Sequence, residues 1–170
     1  MSVAALHLAI SWTARLSAVL FAFSLIVPAL SGHRGHSGRL QVAFILAHTL
    51  HFAFVAWLAG VSGGAGMFPG GRSVAEVGGW PVVLAIFALF YAVAFIALTA
   101  RRAGAAQKRL RTAGKLATVF IGFMFVATYL PLVTRSGWYA LLALLVTAAV
   151  GADLRAHARA RPVLPLGPAR

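Results

Sequence analysis

Five long apolar blocks, at about residues 14–30, 40–59, 80–100, 116–133 and 138–152, leave this chain few ways to fold. Each comes near the roughly 20 helical residues needed to cross a hydrocarbon layer. Backbone polar groups cannot go unpaired in lipid, and the apolar–polar alternation of a barrel strand is absent, so the blocks read as transmembrane helices. Composition agrees: 61% of the 170 residues are hydrophobic and only 10% charged. A soluble domain of this length could not cover such a core. The expected architecture is an all-α, polytopic membrane bundle of about five helices over residues 1–154, followed by a basic tail at 155–170.

Charge orients the bundle. Of the 15 Lys and Arg residues, Arg34 and Arg39 lie in the first connection and Arg101, Arg102, Lys108, Arg109, Arg111 and Lys115 in the third. Arg155, Arg159, Arg161 and Arg170 lie in the tail. The opposite side holds only Arg72 and Arg135 in its loops, with Arg15 near the outer end of the first helix. The positive-inside rule then predicts the N-terminus outside, the C-terminus in the cytoplasm and an odd number of spans, in a bacterial inner membrane. A cleaved secretory signal, with Arg15 as its basic residue, Leu16 to Val27 as its apolar run and Ala29 and Ser31 before the cleavage point, is the competing reading. It would leave the first and third connections, with their eight basic residues, outside.

The same asymmetry accounts for the net charge of +13. Basic loops facing anionic cytoplasmic lipid each gain about 1 kcal/mol per Lys or Arg. The loop at 101–115 is also a candidate docking surface for an acidic soluble or membrane redox partner. No aromatics are interleaved with its charges, so nucleic acid is not an indicated ligand. With no cysteine there is no disulfide, thiolate metal site or cysteine nucleophile. Glu76 and Asp153 are the only carboxylates and neither lies deep in a span, which argues against paired-carboxylate catalysis and acidic proton relays. The glycine-rich stretch V-S-G-G-A-G-M-F-P-G-G-R-S follows a membrane helix, not a strand, and reads as a flexible outer connection.

The second block carries the chemistry. F-I-L-A-H-T-L-H-F-A-F places His48 and His51 three residues apart on one helical face, with Gln41 one heptad before His48 on the same stripe. From a helix start near Leu40 the two imidazoles lie about 12 and 17 Å along the axis, within the hydrocarbon layer. Ionisable side chains at that depth face a partner or a cavity. An imidazole there can ligate haem iron, bind a metal or carry a proton. It can also simply hydrogen-bond a neighbouring helix through Thr128, Tyr129, Tyr91 or a backbone carbonyl.

The run G-R-L-Q-V-A-F-I-L-A-H-T-L-H-F-A-F resembles the histidine-bearing helix of the ferric reductase-like transmembrane family. Arg39, Ala43, Phe44, Leu50 and His51 match its pattern, and L-T-A-R-R-A-G-A-A-Q-K-R-L-R-T-A-G-K-L-A-T-V-F is similar to that family's link into its next such helix. The resemblance covers about residues 14–134. It implies haem b held between helices by histidine pairs, with His51 as the ligand carried over and His48 as the alternate, and electron transfer across or into the membrane.

The chain departs from that pattern in the fourth block, where Lys115 and Thr128 stand in place of histidines. No histidine occurs between residues 52 and 156. Under the resemblance a haem would be five-coordinate, would draw on His7, His33, His36 or Tyr129, or would be shared with another chain. His33 and His36, with Arg34, are a candidate metal or propionate site, or part of a solvated turn. His7 and His157 are expected to be terminal and exposed. Trp57, Trp80, Trp138, Tyr129 and Tyr139 are expected as interface anchors. Pro81 suits the first turn of the third helix, and Pro131 is placed to kink or end the fourth. The phenylalanines of F-A-L-F-Y-A-V-A-F and F-I-G-F-M-F read as packing or lipid contact. No nicotinamide or flavin motif is present, so the chain is at most the membrane electron-transfer component of an oxidoreductase. The alternative is a non-catalytic membrane subunit or scaffold that has lost the cofactor.

Overall fold

The computed structural model describes residues 2–31, 35–62, 64, 73–102 and 108–159, giving the backbone alone at 35–37, 77, 101, 102, 108 and 159. Its long helices are α1 (Val3–Ser31), α2 (Gly35–Ser62), α3 (Gly79–Arg102), α4 (Lys108–Tyr129) and α5 (Gly137–Arg159). Short 3-10 turns at Ala75–Val77 and Leu130–Leu132 precede α3 and follow α4. All five long helices have the length and apolarity to cross a membrane. Among the described residues there is no strand.

Four boundaries differ from the sequence expectation, one of them the start of α4, which is at Lys108, inside the expected 101–115 connection, and not near residue 116. Helix α1 starts at Val3 and not near residue 14, because Ser2 caps it: its Oγ accepts from the Ala5 amide at 3.2 Å. His7, Ser11, Trp12, Thr13 and Arg15 interrupt the apolar run without interrupting the helix. His7 is exposed, on that helix and not on a free terminus. Helix α2 starts at Gly35, inside the expected loop. Helix α5 runs on to Arg159, so the first part of the expected tail is helical. His157, expected to be exposed, is partly buried, with Nδ1 2.8 Å from the Asp153 carbonyl one turn back. The expected glycine-rich connection lies mainly outside the described residues, as do His33, Arg34, residues 103–107 and the chain from residue 160.

Pro131 falls in the 3-10 turn that ends α4, and Pro81 falls in the first turn of α3. Gly78 adopts φ +103, a left-handed conformation that turns the chain into α3.

Packing follows residue size. Helix α1 lies chiefly against α2 and α5, and α4 lies against α3 and α5. Helices α3 and α4 approach through small residues: a Cβ added to Gly114 would fall 2.2 Å from the Ala100 Cβ. Between α2 and α3 large rings fill the space instead. Phe52 stacks on Phe87 with centroids 4.1 Å apart, and Phe44 meets Phe90 edge-on at 6.1 Å. Phe21, Phe44 and Phe125, from α1, α2 and α4, join at the centre of the core.

The helices are staggered. The Tyr129 hydroxyl, at the end of α4, donates to the Ala14 carbonyl at 2.8 Å, and Tyr139, in the first turn of α5, meets Arg15. The N-terminal part of α1 therefore runs on beyond the level of Tyr129 and Tyr139. The bundle has a step at the end that carries the N-terminus.

Candidate functional site

His48 and His51 leave the inner face of α2 in different directions. His48 is buried, 9% exposed, in a cage of aromatic rings. Its imidazole stacks on Phe90 of α3 at 4.2 Å and 29°. Phe52 meets it edge-on at 4.5 Å. Phe44 and Phe125 close the cage, each 5.7 Å away between centroids. Its Nδ1 is buried with no hydrogen-bond partner among the described residues.

His51 faces α1 and is half-buried. Its Nδ1 lies 3.1 Å from the Ile10 carbonyl and 3.3 Å from Thr13 Oγ1. A carbonyl only accepts, so this contact places the proton on Nδ1, and the Thr13 hydroxyl donates within its own helix to Ala9 at 2.7 Å. The two imidazole centroids are 5.5 Å apart. Of the hydrogen-bonding partners available to a buried histidine, the backbone carbonyl is the one used. Tyr91 is engaged with Thr49 at 2.6 Å, and Thr128 is turned back on the Met124 carbonyl.

Gln41 lies on the same stripe and is also buried, with its Oε1 lacking a donor. It lines a cavity of about 20 Å³ together with Phe44, Ser24 and Thr118. That volume admits a single water and nothing larger.

The surroundings do not fit a haem held between histidines. Two imidazoles that leave one helix three residues apart cannot approach an iron from opposite faces. Phe90 and Phe125, from the two helices facing His48, stand in ring contact with it. Tyr129, the alternative ligand on α4, has its hydroxyl committed to Ala14. It is also only 2% exposed, a core residue and not the interface anchor its aromatic character suggests. Trp57, Trp80 and Trp138 are exposed, consistent with anchoring. Among the described residues no three His, Asp or Glu side chains gather to hold a metal ion.

Two features of α1 escaped the sequence reading. One is the Ile10 carbonyl and Thr13 hydroxyl that receive His51. The other is Arg15, whose Nη2 lies 3.4 Å from the Tyr139 hydroxyl. A signal for the first existed: Thr13, Ser17 and Ser24 are all buried and share a stripe of α1 at spacings of four and seven. Comparison of the chain with protein families, with curated proteins and with solved structures finds no match.

Proposed function

We propose that this chain is a non-catalytic integral membrane subunit, a helical scaffold similar in layout to ferric reductase-like electron-transfer domains but working without the cofactor. The carrying observation is the cage around His48. Aromatic side chains from three helices surround its imidazole in direct ring contact. In this reading His51 ties α2 to α1 through Ile10, and His48 fills volume between α2, α3 and α4. The basic segment 101–115 is the face offered to an acidic soluble or membrane partner. The chain sits in the cytoplasmic membrane with its N-terminus outside.

One observation favours a second reading, a five-coordinate haem b on His51 alone. An imidazole that donates Nδ1–H to a backbone carbonyl has the tautomer that presents Nε2 to a metal.

The visible spectrum of detergent-purified protein from haem-replete cells separates the two, recorded as isolated and after dithionite. The scaffold reading expects no Soret band. It also expects His48→Phe to melt at or above the wild-type temperature, gaining up to about 1 kcal/mol because a buried nitrogen without a partner is removed. A haem b band abolished by His51→Ala would overturn it. Orientation is checked separately, the chain having no cysteine of its own. Single cysteines at Ser2 and at Ala158 are expected to react with an impermeant maleimide from outside and from the cytoplasm, respectively. The reverse pattern would refute the assigned topology.

A further inference from the structure

Arg15 is a cation within the α1 span, and nothing in the described protein neutralises it. The whole chain has two carboxylates. Asp153 lies 14 residues beyond Tyr139 on α5, about 21 Å along the axis, beside His157. Glu76 is bound to Ser73 ahead of α3. Among the described residues the one acceptor on Arg15 is the Tyr139 hydroxyl, at 3.4 Å, although a guanidinium carries five N–H donors in a planar fork. Its Nε is buried and has no partner among the described residues.

The guanidinium is nevertheless positioned. It lies between two rings, with Cζ 5.4 Å from the centroid of Trp12 and 5.3 Å from that of Tyr139. Cation–π contacts of this kind orient a guanidinium without using its hydrogen-bond donors. The group stands at the step of the bundle, level with the α4–α5 turn, where Arg135 adds a second exposed cation four residues before Tyr139. Around it the surface is apolar and open: Trp12 is 61% exposed and Trp138 65%, with Leu16 and Leu141 also exposed. A fork of unused donors beside exposed apolar side chains fits a ligand with an oxyanion at one end and hydrocarbon at the other.

We propose that Trp12, Arg15 and Tyr139 form a binding site for the phosphodiester of a membrane phospholipid, its acyl chains running inward past the exposed Leu16 and Leu141. The guanidinium takes the phosphate oxygens, the two rings hold it in place, and Arg135 favours an anionic headgroup. The site is separate from the histidine stripe and independent of whether the chain binds haem.

Delipidated protein in mild detergent, followed by native mass spectrometry, tests this. The probes are phosphatidylglycerol, diacylglycerol with the same acyl chains, and phosphatidylglycerol with excess inorganic phosphate. Wild type is expected to retain phosphatidylglycerol about tenfold more tightly than diacylglycerol, the size of one good charge-assisted contact. Inorganic phosphate is expected not to compete. Arg15→Gln should abolish the preference, and Arg15→Lys, which keeps the cation but not the planar fork, should weaken it. Arg15→Lys decides the matter even if Arg15→Gln fails to fold, since an unchanged preference in that variant would refute the guanidinium fork as the binding group. Equal retention of diacylglycerol, an unchanged preference in Arg15→Gln, competition by inorganic phosphate, or an acidic protein held in place of lipid through Arg15 would each overturn the proposal.

Discussion

Gly114→Leu is expected to prevent α3 and α4 from docking, costing more than about 3 kcal/mol and showing as loss of monodisperse, folded protein. Even Gly114→Ala places its new methyl 2.2 Å from the Ala100 Cβ, a distance that no side-chain rotation can relieve. One helix backbone must move, at a cost of about 1–3 kcal/mol. Close approach matters more here than in a soluble protein, because lipid is as apolar as the side chains and only packing draws the helices together. The facing residues Ala94, Ala97 and Ala100 of α3 and Ala117 of α4 are all buried, so the whole seam depends on small side chains. Ala100→Gly should restore most of the stability lost in Gly114→Ala, a coupling that thermal unfolding in detergent can measure as a double-mutant cycle. Gly60→Ala is the control. It has nothing within 4 Å and should be neutral or slightly stabilising through helix propensity. If Gly114→Ala melts with the wild type, the α3–α4 seam is not as close as described.

The bundle was legible because hydrophobic length is a property of a single stretch of chain, and each of the five blocks displays it. The same rule failed on the first turns of α1. There it counts interruptions, whereas a helix tolerates a residue such as Thr13 where its polar atom finds a carbonyl. Thr13 bonds back to Ala9 and Ser17 to Thr13, each within its own helix. The shared face of His48 and His51 was legible for a similar reason, since a three-residue spacing fixes it locally. What each imidazole meets was not. Ile10 lies 41 residues from His51, and Phe90 and Phe125 come from two further helices, so their arrival depends on how the helices rotate and stagger. No spacing within α2 encodes that. Tyr129 shows the opposite hazard: an aromatic residue at a helix end has the composition of an interface anchor, but the stagger of α1 past α4 buries it.

That burial makes Tyr129 the side chain whose loss should be felt most after the α3–α4 seam. It is the largest fully buried side chain among those described, and it joins three helices. Its hydroxyl reaches Ala14 of α1 at 2.8 Å, and its ring stacks on Phe125 of α4 at 6.1 Å. Tyr139 of α5 lies 5.8 Å away between centroids. Two variants separate the contributions. Tyr129→Phe keeps the ring and removes the bond, which in a membrane is worth about 0.6 to 2 kcal/mol. Tyr129→Ala also opens a cavity. In water that change would cost about 3–5 kcal/mol, but part of the figure is transfer of apolar surface out of water, and a bilayer withholds that part because the separated helices are still in hydrocarbon. The cavity and lost dispersion contacts persist, so Tyr129→Ala should cost about 3 kcal/mol, clearly more than Tyr129→Phe. Thermal unfolding followed by circular dichroism in detergent checks the order. If the two variants melt together, the hydroxyl and not the ring holds α1 to α4. If neither departs from wild type, the α1–α4 contact does not stabilise the fold, and the stagger that sets Arg15 beside Tyr139 must be maintained by α5 alone.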